Sequence, residues 1–373
     1  MFNFLFLTQK ESVITKERGG EKMKKFLFVL LTALLAVSMG ACSSGGSSST
    51  SSSSGDEGSG SAEKVTFNLS TPDPDESSVS LAAKEFAKVV GEKSNGSIEI
   101  KVHPNGTLYG GDPSAAVKQL GAGSLDMLVL STSLYANFEP KFSAISIPYL
   151  FDDKDQFVSF LDGELGTELL DSVSNLDIHG LGYWTRDFRQ ITNSKHPITK
   201  PEDLEGVKLR VPNNPLWVEF FKGAGAVTTP MDFGEVYNAL QLKTIDGQEN
   251  PIGVVTSAKI YEVQEYLTIS NHMADGWLVG INQEKFDSLT EEQQQILTET
   301  SKEIQGWALD YDTKEAESAI EFLEGEGVKV NELTSEQQQL FVDVSKKAYP
   351  TFKGLVKDDE FFAKVLEFVG KSE

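Results

Sequence analysis

The chain has 373 residues, 39% hydrophobic and 24% charged, enough apolar material for one large or two medium folded domains. Its net charge of −23 argues against nucleic acid as a partner, because no basic field exists to displace counterions from phosphates. Cys42 is the only cysteine, which excludes an intramolecular disulfide and Cys-based metal or redox motifs.

In chain order, residues 1–22 read as upstream sequence, with Met23-Lys24-Lys25 as the start of a signal peptide. An apolar run over residues 26–37 and the small pair Gly40-Ala41 complete the charged, apolar, small-residue order of a secretory signal; the run is too short to span a bilayer comfortably. Met39-Gly40-Ala41-Cys42 resembles the lipobox of bacterial lipoproteins, with Met39 where Leu is usual. The resemblance implies lipidation of Cys42 after cleavage; the alternative is a free cysteine at the end of an ordinary leader. Residues 42–63 then form a tether, almost wholly Ser and Gly over 43–61, with a coil end-to-end distance of roughly 25 Å.

From Val65 short strands alternate with helices. Residues 65–69, 97–103 and 125–130 read as strands, and Val79, Ala82, Ala83, Phe86, Ala87 and Val90 share one face of a helix between the first two. Asp112-Pro113 has the form of an N-cap and first helical residue. Strands follow over 178–184, 207–211, 266–269 and 276–282, with a helix starting near Pro215. Asp232 with Glu235, Thr290 with Gln293 and Thr334 with Gln337 have capping-box spacing; the second opens a helical stretch reaching toward Gly325. A helix of about 35 residues is roughly 50 Å long, enough to cross two domains. This order predicts a parallel or mixed sheet covered by helices on both faces.

Four segments carry the chemistry: residues 182–194 (GYWTRDFRQITNS), 204–212 (LEGVKLRVP), 231–240 (MDFGEVYNAL) and 246–251 (DGQENP). Arg189 and Arg210 fall at strand ends or in the adjoining turns, where open α/β sheets bind ligands. A guanidinium presents a planar fork of donors matched to a carboxylate and stays charged. The bland alternative makes both arginines surface ion-pair partners in an acidic protein.

In order and spacing these four segments resemble the solute-binding proteins of TRAP transporters, the DctP family. The resemblance implies capture of an organic acid, a C4-dicarboxylate or a sugar acid, outside the membrane and delivery to a permease of membrane subunits driven by an ion gradient. It implies a two-lobed, periplasmic-binding-protein-like α/β fold with a ligand cleft between the lobes and a long helix spanning both. Lobe I is expected over about 64–185 plus part of 280–373, lobe II over about 186–279 plus part of the C-terminal helices. Arg210 matches the arginine that clamps the ligand carboxylate, Arg189 a second anchor, Asn250 a residue hydrogen-bonding the ligand and Phe233 an aromatic wall.

Ser131 and Thr132 follow an apolar strand and are candidate contacts, with helix capping as the alternative. Alternation sets Arg186 on the opposite face from Arg189, in a structural role. Glu249 reads as a group that caps or binds backbone in a Pro-bounded turn. His103, His179, His196 and His272 are too scattered for a zinc site, and no nucleophile elbow or phosphate-binding loop is present, so neither catalysis, a metal nor a cofactor is expected. A glycosidase-type carboxylate pair stays open among so many acids. Monomeric, membrane-tethered and extracytoplasmic, the protein is expected to transport; the competing reading is a surface lipoprotein for sensing or adhesion.

Overall fold

The structure, a computed structural model, describes residues 64–372. The expected leader over 1–41, Cys42 and the tether over 42–63 lie outside them.

Eleven strands are present among the described residues: β1 (Val65–Ser70), β2 (Ile98–His103), β3 (Met127–Ser131), β4 (Ile178–Thr185), β5 (Arg189–Asn193), β6 (Lys208–Val211), β7 (Val227–Pro230), β8 (Gly247–Pro251), β9 (Tyr266–Ile269), β10 (Gly276–Asn282) and β11 (Lys329–Glu332). They form two mixed sheets. The first has the order β2-β1-β3-β10-β4 and the second β11-β9-β5-β8-β6-β7. In the first, β1 runs parallel to β2 and β3, while β10 runs antiparallel to β3 and β4. In the second, β5 is antiparallel to β8 and β9, and β6 is parallel to β7 and β8.

Strand chemistry follows burial. β3 and β10, central in the first sheet, are buried along their length and read as continuous apolar runs. β5 and β8 are equally buried yet polar, which is why the segment Gln248-Glu249-Asn250 reads as a turn and is in fact a strand. Its polar side chains are satisfied by one another and by β5: Gln248 Nε2 donates to Thr192 Oγ1 at 2.9 Å and Asn250 Nδ2 to Gln248 Oε1 at 2.6 Å.

Helices begin where the sequence provides caps. Asp112 Oδ1 accepts from the amides of Ser114 (2.8 Å) and Ala115 (3.2 Å) ahead of the helix Pro113–Gly121. Thr290 and Gln293 form a reciprocal capping box that starts Glu291–Gly325, a 35-residue helix. That helix packs against β4 and the helix Ser78–Lys93 beside the first sheet and reaches Ile252–Ser257 and β11 of the second. The expected box of Asp232 and Glu235 does not form. Asp232 precedes the helix Phe233–Gln241, but its carboxylate takes no first-turn amide and accepts from Asn213 Nδ2 at 2.8 Å.

The chain passes between the sheets three times: over residues 186–188, from β4 to β5, over 270–275, from β9 to β10, and by way of the 35-residue helix, from β10 to β11. The first two crossings are tied together where β5 begins: Arg189 N donates to Met273 O (3.0 Å) and His272 N to Arg189 O (3.3 Å).

Candidate ligand-binding site

A narrow cavity of about 80 Å³ lies where β1, β3 and β4 of one sheet and β6 and β8 of the other present their carboxyl ends or the turns beyond them. Arg186, Arg189, Arg210, Asn250, Phe233 and Ser131 all line it. A larger groove of about 820 Å³, lined by Tyr149, Lys154 and Lys371 among others, shares no residue with it. Two of the groove's lysines are paired, Lys154 with Asp187 and Lys371 with Asp152, and no arginine lines it to offer a carboxylate a two-donor fork.

Arg210 comes from the middle of β6 and is 3% exposed. Its Nε (2.9 Å) and Nη2 (2.6 Å) both donate to the Met231 carbonyl. That contact occupies one edge of the guanidinium and leaves the Nη1–Nη2 edge as a two-donor fork. No carboxylate pairs with it among the described residues. Burial pushes its pKa down to about 10, with Glu249 opposing and Arg189 adding to the fall. Phe233 is beside it, its ring centroid 6.0 Å from the guanidinium carbon.

Arg189 is differently placed. Nε donates to Glu249 Oε2 (2.5 Å), Nη2 to Glu249 Oε1 (2.9 Å), to the Glu249 carbonyl (2.8 Å) and to Asn250 Oδ1 (3.0 Å), and Nη1 to Asp275 Oδ2 (3.0 Å). One Nη1 hydrogen is left. Its guanidinium carbon stacks 4.6 Å from the Trp217 ring.

Arg186 corrects a sequence expectation. It lies in the crossing rather than in a strand, so alternation does not apply, and it faces the same cavity as Arg189. Its Nη1 donates to Asp275 Oδ2 (3.3 Å) and its guanidinium lies 4.0 Å from the Trp277 ring centroid, while Nε is buried without a partner. Ser131 Oγ contacts both Asp275 oxygens at 2.9 Å. Thr132, also a candidate contact, is turned out of the cavity and donates to Asp275 Oδ1 at 3.2 Å.

A model of the bacterial extracellular solute-binding proteins, family 7 (DctP), matches residues 69–354. The chain belongs to this family. It is 34% identical to the 2,3-diketo-L-gulonate-binding periplasmic protein YiaO of Escherichia coli, over 76% of this chain and 84% of that one. It is 33% identical to the C4-dicarboxylate-binding protein DctB of Bacillus subtilis, over 76% and 81%. Among solved structures, the sugar acid binding protein DctPAm of Advenella mimigardefordensis in complex with galactonate superposes with a TM-score of 0.80 at 32% identity, over 83% of this chain and 99% of that one. A TRAP periplasmic solute-binding protein of Sulfurospirillum deleyianum with bound succinate gives 0.76 at 30%, over 81% and 98%.

As in other family 7 members of the TRAP type, the fold is a solute-binding one with two sheets, as the resemblance implies. Sequence reading did not register the acidic and neutral partners that set its arginines apart. Glu249 is no turn residue: burial would push its carboxyl up, but the Arg189 charge and bonds from His272 and Arg189 hold it at about 2. His272 Nε2 meets Glu249 Oε2 at 3.2 Å and Nδ1 meets Ser270 Oγ at 2.8 Å; burial lowers its pKa, favouring neutral imidazole. Asp275 is the second hub. Its only sequence signal is its place before an apolar strand, too common to single it out.

Proposed function

We propose that this chain captures an organic anion, a C4-dicarboxylate or a sugar acid, with the ligand carboxylate on the free Nη1–Nη2 edge of Arg210, and hands it to a membrane permease. The observation that carries this reading is Arg210 itself, a buried guanidinium with a spare fork, no carboxylate partner and a pKa depressed by burial. A ligand carboxylate would relieve that charge where water cannot. Arg189 adds its one remaining Nη1 hydrogen, Asn250 its second amide hydrogen, and Phe233 and Ser131 shape the cavity.

Two lobes, about 64–185 and 186–279 with the C-terminal helices shared between them, would close on the ligand by rotation about the crossings over 186–188 and 270–275. Binding would then shift an open–closed equilibrium, and the permease would read the closed form. Lipidated Cys42 and the Ser/Gly tether would hold a monomer near the outer face of the cytoplasmic membrane. Nothing in this scheme calls for catalysis.

The test is calorimetric titration and thermal shift of the purified protein against organic acids, sugar acids and neutral sugars. Carboxylates alone are expected to bind and to raise the melting midpoint, by about 2.7 kcal/mol of stabilisation at a hundredfold excess over Kd. Binding of neutral sugars alone breaks the clamp; no ligand at all favours the surface-adhesion reading.

A further inference from the structure

Asp73 is a buried carboxylate in the cavity that none of the described residues hydrogen-bonds. It lies in the turn after β1, between Pro72 and Pro74, is 5% exposed and lines the cavity. The flanking prolines restrict its backbone, and its carbonyl accepts from Asn105 N (2.9 Å) and Ser80 Oγ (3.4 Å), so the side chain is presented from a fixed frame. Among the described residues its carboxylate accepts no hydrogen bond and stands in no ion pair, although Arg186, Arg189 and Arg210 all act on it electrostatically. Burial raises its pKa against their pull. An unpartnered buried carboxylate is costly unless something supplies donors.

The other two buried carboxylates at the site are spoken for. Glu249 is held by Arg189 and His272, and Asp275 by Arg186, Arg189 and Ser131. Arg189 and Arg186 are therefore balanced within the protein, and Arg210 is the cation left for a ligand. Asp73 and Arg210 line the same cavity from different sheets, Asp73 in the turn after β1 of the first and Arg210 on β6 of the second. Tyr109, also lining the cavity, is buried beside Asp73; burial, then the Asp73 charge, raises its pKa, so it stays a neutral phenol.

We infer that Asp73 reads the end of the ligand opposite its carboxylate, accepting hydroxyl hydrogens and rejecting a second carboxylate, so that the protein selects hydroxy monocarboxylates over dicarboxylates. This rests on Arg210 taking the first carboxylate. A ligand with an anion at one end and hydroxyls at the other satisfies both residues and bridges the sheets. A dicarboxylate puts like charge against Asp73, the repulsive element specificity needs.

The experiment is calorimetric titration of D-galactonate, D-glucuronate and succinate into the wild-type protein and Asp73→Asn, with Asp73→Ser as a second variant should the first misfold. Wild type is expected to favour the hydroxy acids by about tenfold or more. Either variant is expected to compress that ratio about tenfold, weakening the hydroxy acids and strengthening succinate. Succinate binding wild type as well as the hydroxy acids do, or a ratio unchanged in both variants, overturns the role of Asp73 while leaving the Arg210 clamp intact. Failure of all three ligands to bind wild type overturns both.

Discussion

Arg189 and Glu249 close on one another from adjacent antiparallel strands, Nε to Oε2 at 2.5 Å and Nη2 to Oε1 at 2.9 Å, both side chains almost fully buried. Removing one partner of such a pair leaves a buried charge uncompensated. Glu249→Gln is expected to lower unfolding free energy by about 3–5 kcal/mol, measured by urea denaturation at pH 7. The acid limb should change as well. Glu249 has a folded pKa of about 2 against an ordinary value of 4.5, so the unfolded state takes up more protons as pH falls between them, and stability drops there. In the variant that part of the slope is gone.

Arg210 should behave in the opposite way. Its loss is expected to weaken carboxylate binding by about 2–5 kcal/mol, roughly thirtyfold or more in Kd by calorimetry. Arg210→Met should leave the ligand-free melting midpoint unchanged or higher, because a desolvated and unpaired charge is replaced by an apolar chain of similar length. A large fall in ligand-free stability would assign Arg210 to the framework with Arg189.

Asp312 lies on the long helix beside Arg186, Asp187 and Glu315. Burial raises its carboxyl to about 7 despite a bond from Ser78. Its folded pKa is above the ordinary value of 3.8, so the native state binds more protons between those values and stability falls as pH rises toward 7. Asp312→Asn is expected to flatten that decline and stabilise the protein at pH 8 by roughly 2–4 kcal/mol, read from denaturation curves at pH 5 and 8.

Gly247 opens β8 against β5. A Cβ there would meet the Thr192 carbonyl oxygen at 2.3 Å and Asn193 Cβ at 2.9 Å. Gly247→Ala should push β8 from β5, costing about 1–3 kcal/mol, and displace Glu249 and Asn250 enough to weaken ligand binding. Unaltered stability and affinity would mean the strand pair is more compliant than this contact implies.

Cys42→Ser is expected to move the protein from the membrane fraction into the soluble extracytoplasmic fraction. Immunoblotting of fractionated cells checks this. An unchanged distribution would remove lipidation as the anchor.

Much of the architecture is local and therefore readable along the chain. Asp112-Pro113, Thr290 with Gln293 and Thr334 with Gln337 cap helices because a side-chain oxygen three residues from an orphan amide needs no distant partner. Apolar periodicity likewise places β1, β3 and β10 within a few residues; the four motifs lead to the family and to Arg210, Arg189, Asn250 and Phe233, and the end of the apolar strand β3 to Ser131, all around one cavity. What the motifs cannot supply is who pairs with whom. Arg189 and Arg210 carry the same side chain, each within one of the four motifs, yet one is enclosed by Glu249, 60 residues away, and Asp275, 86 residues away, while the other keeps a free edge. The sequence around Asp73 and Arg186 is silent on their surroundings for the same reason. Whether a charge is satisfied depends on groups brought close by sheet order and by the crossings, and burial then converts that pairing into a pKa and an affinity.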